Sequence, residues 1–135
     1  MEEYFLEIDH TADLAIQVKA RTFLALIQQA VQGMLHLMGI EDKPLGREIS
    51  CTVSFSYTCL EDILVQAMNE ILYELEASNL LYIPAELTFC ETQARIFYIG
   101  VPCVKSYHEI KAVTYHQMEI VQDETGFQSI IVFDV

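Results

Sequence analysis

The sequence predicts one α+β domain spanning residues 1–135, and three observations carry that expectation. Two stretches place apolar residues at helical spacing, each just after a residue able to cap a helix. Short alternating runs rich in Val, Ile, Phe and Tyr surround them and read as strands. No Pro/Gly/Ser-rich linker or low-complexity tract separates the two halves, each of which parses as a helix followed by strands. With 53% apolar residues, the chain can bury a core without disulfide or metal staples.

Taken in order, a strand over residues 4–8 runs into the Asp9-His10-Thr11-Ala12 turn. A second strand follows over 14–19, with Leu14, Ile16 and Val18 on one face. Thr22 caps the first helix, whose inward stripe is Leu24, Ile27, Val31, Met34, Leu35 and Met38, and Gly39 stands where a left-handed residue ends it. A loop over 41–46 leads to a strand over 47–56, in which Ile49, Cys51, Val53 and Phe55 form an alternating apolar face. Thr58-Cys-Leu-Glu61 reads as a capping box for the second helix, with Asp62 complementing its dipole and Ile63, Leu64, Met68, Ile71, Leu72 and Leu75 facing inward. Strands are then expected over 80–90, 93–99, 112–121 and 128–135, with turns at Glu91-Thr92 and Asp123-Glu-Thr-Gly126.

Charge and motif content narrow the function. Twenty acidic side chains against seven basic ones leave a formal charge of -13, which repels phosphate backbones and argues against direct nucleic-acid binding. The same charge suits solubility, a basic protein partner or a cation site. Cys51, Cys59, Cys90 and Cys103 contain no Cys-x-x-Cys pair, so a zinc knuckle is not supported and they read as reduced thiols of a cytoplasmic protein. Glu2-Glu3 at the start is unlike a secretory signal, and no apolar run approaches the ~20 residues a membrane helix needs. Walker A, Gly-x-Gly-x-x-Gly and Gly-x-Ser-x-Gly patterns are absent, so neither a nucleotide cradle nor a nucleophile elbow is expected. Ser106 and His108 are rejected as a nucleophile and base, because no carboxylate can be assigned to orient them.

The residues that carry specific chemistry lie near the two ends. Asp13 follows a turn, Asp134 stands one residue from the end, and Val135 supplies an α-carboxylate. Should the first and last strands be neighbours, three hard oxygen donors would meet, a set suited to calcium, magnesium or manganese rather than zinc or copper. On the residues alone the bland reading stands beside it: Asp13 bonding its own turn and Asp134 fraying at an end. His10 can orient Asp13 through a hydrogen bond or be satisfied by backbone. His36 reads as a partly buried packing residue, and His116 as alternating with Tyr115 across a strand. Lys111 is either a partner or nucleotide contact, or a strand-edge lysine that discourages aggregation.

Three segments, His10-Thr11-Ala12-Asp13, Glu109-Ile-Lys-Ala-Val-Thr-Tyr-His116 and Phe133-Asp134-Val135, occur together and in this order. In that respect the chain resembles the archease family over nearly its whole length. The resemblance implies a duplicated strand-helix-strand-strand unit, with two helices packed on a curved antiparallel sheet. It implies a divalent-metal site, calcium foremost, at Asp13, Asp134 and Val135, and a signature role for Lys111. It also implies a non-enzymatic accessory protein that activates the GTP-dependent tRNA-splicing ligase by promoting guanylylation and multiple turnover. A second role implied by the family is that of chaperone or modulator of a tRNA-modifying enzyme such as a methyltransferase. A small metal-dependent hydrolase using Asp13 and Asp134 is the reading from a third class. The chain departs from the family pattern before the central motif, where residues 99–108 are short and lack acidic residues.

Overall fold

In the computed structural model, the described residues are 3–8, 14–40, 48–103 and 107–135. The elements are β1 (Tyr4–Ile8), β2 (Leu14–Ala20), α1 (Phe23–Met38), β3 (Ile49–Ser56), α2 (Leu60–Ser78), β4 (Leu80–Cys90), β5 (Gln93–Pro102), β6 (Ala112–Val113), β7 (Val121–Asp123) and β8 (Gly126–Asp134). Every strand pairing is antiparallel. The strands fall into two sheets: one runs β1-β2-β8-β6 with β7 also paired to β8, and the other runs β3-β5-β4.

Strand order reveals how the unit is duplicated. In β3-α2-β4-β5 the last strand lies between the first and the third element's strand, giving β3-β5-β4. The same arrangement recurs with β2, α1, the β6/β7 edge and β8, where β8 lies between β2 and that edge. One unit is therefore nested inside the other, between α1 and β6.

α1 starts and stops as its sequence dictates. Ala25 N–H donates to Thr22 Oγ1 at 3.1 Å. At the other end Gly39 has φ 74°, and the amides of Gly39 and Ile40 donate to the carbonyls of His36 and Leu35, a Schellman closure. Its buried stripe is wider than expected: Phe23, Leu26 and Ala30 join Ile27, Val31, Met34, Leu35 and Met38, while Leu24 is only half-buried. The reason is that α1 packs on both sheets, against β1, β2 and β8 and also against β4. Gly33 permits the closest of these approaches, because a Cβ there would lie 2.7 Å from Ile16 Cδ1 and 3.1 Å from the Phe5 ring.

α2 buries Ile63, Leu64, Met68, Ile71, Leu72 and Leu75 as expected, but its start differs. The N-cap is Cys59, with no side-chain cap bond, and Thr58 instead donates both its N–H and its hydroxyl to Asp62 Oδ2, each at 2.9 Å. Glu61 does not reach back; its carboxylate accepts from Ile120 N–H at 2.9 Å. A carboxylate one turn into the helix thus does the work assigned to a capping box.

Other corrections concern strands. The run expected over 112–121 breaks into β6 and β7, because Met118 N–H closes a turn onto the Tyr115 carbonyl (3.0 Å) and Gln117 takes φ 56°. Tyr115 and His116 therefore do not alternate on a strand. His36 is exposed, its ring 5.6 Å from that of Phe5. The alternating face of β3 is buried only at Phe55, with Cys51 and Val53 half-buried and Ile49 exposed, since α2 covers one end of the strand. No described helix is long and apolar enough to cross a membrane.

Tyr98 joins the inner sheet to its helix: the side chain is fully buried and its hydroxyl donates to the Ala67 carbonyl at 2.9 Å. Burial pushes its ionisation well above the usual tyrosine range, so it remains a donor. Tyr98→Phe removes one buried hydrogen bond while keeping the ring, and should lower unfolding free energy by about 1 kcal/mol. A urea midpoint equal to wild type at unchanged slope would show the bond to be dispensable.

Candidate functional site

The candidate site forms where β8 ends. Leu14 pairs with Phe133 on one side, while Val113 pairs with Phe133 and Ala112 with Asp134 on the other. Phe133 is fully buried and fixes the strand; Asp134 and Val135 are exposed. Lys111 N–H donates to the Asp134 carbonyl at 2.8 Å, and Thr114 N–H to the Val132 carbonyl at 3.1 Å, which extends the short β6 ladder in both directions. Lys111, exposed, thus sits one ladder step from Asp134.

His10 and Asp13 lie outside the described residues. Leu14, which follows Asp13 in the chain, is the residue paired with Phe133, which precedes Asp134. Among the described residues, no three His, Cys, Asp or Glu side chains gather to hold a metal ion. Of the expected donors, the described side chain is the Asp134 carboxylate, an exposed hard oxygen donor, and Val135 beside it is exposed as well. The thiols stand elsewhere, Cys51 on β3, Cys59 at the start of α2, Cys90 at the end of β4 and Cys103 after β5, and none of the four is in a disulfide. His108 is exposed and is held through its backbone, its N–H donating to the Met38 carbonyl at 2.9 Å.

Two supports were not read from the sequence. Asn69 of α2 faces β6 and grips it with both ends of its amide: Val113 N–H donates to Asn69 Oδ1 (2.8 Å), and Asn69 Nδ2 donates to the Val113 carbonyl (3.1 Å). In effect the amide replaces a neighbouring strand. Its signal is visible once sought, since Asn69 occupies the helical row between Val65 and Leu72, where an apolar side chain is otherwise expected. The second support is the start of α2, where Tyr115 OH donates to Asp62 Oδ1 (3.1 Å) and Glu61 holds Ile120. Hydrogen bonds from Thr58, first its backbone and then its hydroxyl, hold Asp62 below its ordinary pKa of 3.8.

The geometry defines a class: a small, nested α+β domain in which β8 runs between the two segments flanking the candidate site and presents the exposed carboxylate of Asp134 at its end. The Archease protein family (MTH1598/TM1083) model matches residues 5–135, and the chain belongs to that family. Protein archease of Methanosarcina barkeri is 24% identical over 137 residues, covering 95% of this chain and 93% of the relative. That of Thermoplasma acidophilum is 27% identical over 131 residues, covering 95% and 91%. Among solved structures, Methanobacterium thermoautotrophicum protein 1598 superposes with TM-score 0.74 at 18% identity, covering 97% of this chain and 98% of the other. An archease from Thermotoga maritima, described as a possible chaperone, gives 0.65 at 22% identity, covering 95% and 94%. These likenesses establish the fold, two helices on antiparallel sheets.

Asn69→Ala should leave Val113 without partners on its α2 side and cost about 1–3 kcal/mol. Amide exchange at Lys111 and Val113 should quicken more than elsewhere; uniform quickening would show a general loss of stability only. A second expectation concerns acid. Because Asp62 is depressed in the folded state, its contribution is fully present above 3.8 and is lost as pH falls through its lower folded value. Stability of Asp62→Asn should therefore change less than wild type across that acid window, as followed by denaturant midpoints at stepped pH.

Proposed function

We propose that this protein is a non-enzymatic accessory factor that activates the GTP-dependent tRNA-splicing ligase by promoting its guanylylation and multiple turnover. The observation that supports the reading is the register at the end of β8: Lys111 to Val113 of the family's second motif lie beside Phe133 and Asp134 of the third, and Leu14, the residue after the first motif, pairs with Phe133 from the other side.

In this proposal Asp13, Asp134 and the α-carboxylate of Val135 hold a divalent cation, calcium foremost with magnesium or manganese as alternatives, and His10 orients Asp13. A bound cation would supply charge neutralisation for a triphosphate. The chain's own residues position the groups: Phe133 anchors the strand, Asn69 fixes β6, and Lys111 contacts the ligase or its nucleotide. The net charge of -13 favours a basic protein partner over RNA itself, and action in the cytoplasm accords with four cysteines outside any disulfide. A chaperone role toward an RNA-modifying enzyme is the second reading, supported by the description of the Thermotoga maritima relative.

The test is guanylylation of a purified ligase with GTP and metal, with and without this protein. Acceleration at far below one equivalent supports activation, whereas an effect only at stoichiometric protein supports chaperoning, and none at any metal concentration removes the first reading. Asp13→Ala, Asp134→Ala or a short C-terminal extension should each lower metal affinity about tenfold or more. The calcium-induced rise in melting temperature should shrink accordingly, with an N-terminal tag as control. Lys111→Ala should keep that rise and lose activation; full activity in this variant would return Lys111 to a strand-edge role.

A further inference from the structure

Four of the sheet edges are blunted. On β4, Pro84 removes a donor, the register shifts between Pro84 and Glu86, and Gln28 of α1 donates its side-chain amide to the Pro84 carbonyl at 3.0 Å. On β6, the Asn69 amide occupies the free side of Val113. β7 is only three residues long, and β1 is five residues long with Glu7 exposed upon it. Each of these features hinders a further strand from adding.

β3 has none of them. It is eight residues long and pairs only with β5 among the described strands, in an unbroken register from Ile49↔Gly100 to Ser56↔Gln93. From Ile49 to Leu60 the sequence carries no charged residue and no proline, on a protein otherwise dense in charge. Ile49, Ser50, Thr52 and Ser54 are exposed, and among the described residues the side-chain bond to a backbone group of this strand is that of Gln66, which donates to the carbonyl of the last residue, Ser56, at 2.9 Å. Because an antiparallel strand directs alternate amides and carbonyls to either side, the residues before Ser56 present a row of donors and acceptors away from β5.

We infer that β3 is a docking edge for an extended segment of another protein, which adds to the sheet beside it as a fourth strand. The occupant is a strand uncharged across the paired stretch, with Lys or Arg at its flanks. Charge decides against a second copy: two molecules would bring like net charges of -13 together, with exposed Glu48 just before β3 and the half-buried carboxylate of Asp62 bonded to Thr58 beyond its end. Those same acids attract basic flanks, while the neutral stretch between them leaves backbone pairing unopposed. The surface is separate from the end of β8 and stands whether or not the ligase reading holds.

The test uses the full chain and a synthetic peptide, Lys-Lys-Thr-Val-Thr-Val-Thr-Val-Lys-Lys, with residue-resolved amide exchange as the readout. At saturating peptide, alternate amides within Ile49–Phe55 should exchange about tenfold more slowly or better, with β1 and β4 edge amides unaffected. Replacing two valines of the peptide by proline should abolish the protection, and replacing its lysines by glutamates should weaken binding about tenfold. Absence of protection on β3, or equal protection by the proline peptide, overturns the proposal. Equal affinity for the glutamate peptide overturns the basic occupant, and a dimer with those amides already protected in the protein alone shows that a second copy takes the edge.

Discussion

The structure depends on β8 being held from both sides. Its inward residues Ile131 and Phe133 are fully buried, and its backbone is shared between β2 on one flank and β6 and β7 on the other. A central strand of this kind cannot slip, since a shift of one residue would turn Ile131 and Phe133 to the outer face. That constraint fixes where the carboxylate of Asp134 emerges. It also explains why so short a strand as β6, two residues, keeps its place: it is pinned between β8 and the Asn69 amide.

The helices carry the same logic inward. Both helices pack on both sheets, α1 against β1, β2, β8 and β4 and α2 against β3, β4 and β6, and they meet each other, so one continuous core runs from Ile16 and Phe133 through Met34 and Met68 to Ile96 and Tyr98. Polar groups enter that core only where a partner awaits them, as Tyr98 does with the Ala67 carbonyl. None of the described acidic residues is buried, and two of them, Glu61 and Asp62, fasten the arch between β6 and β7 to the start of α2. Surface charge in this protein therefore serves local geometry as well as solubility.

Much of the fold was legible because it rests on local chemistry. Thr22 and Gly39 bound α1 as their side chain and backbone freedom require, and the inward row of α2 follows from spacing alone. What escaped was set by distant partners. Glu61 looked like half of a capping box but bonds Ile120, and nothing near Gln117 announces the turn that splits the long strand. Leu24 was placed inward because one buried face was assumed, whereas α1 touches two sheets. At the candidate site, Asp134, Val135 and Lys111 were recognised by motif and the sheet brings them side by side, while Asn69, which holds their neighbour, is polar chemistry hidden within an apolar row. The nesting of the two units was not readable either, because it is a property of strand order and the halves share little sequence.

That nesting governs how the molecule is built in time. The unit from β3 to β5 is contiguous and can close on its own hairpin contacts, but β2 must wait for β8, with Leu14 and Phe133 meeting only across the whole inserted unit. Closing so long a loop is entropically slow unless the intervening chain has already compacted. During synthesis, β8 leaves the ribosome after β1 to β7, and the surface at its end cannot exist on a partly made chain. A partner that read Asp134 together with Lys111 would therefore engage the chain only after β8 has docked between β2 and β6, so strand order sets when this surface can be used.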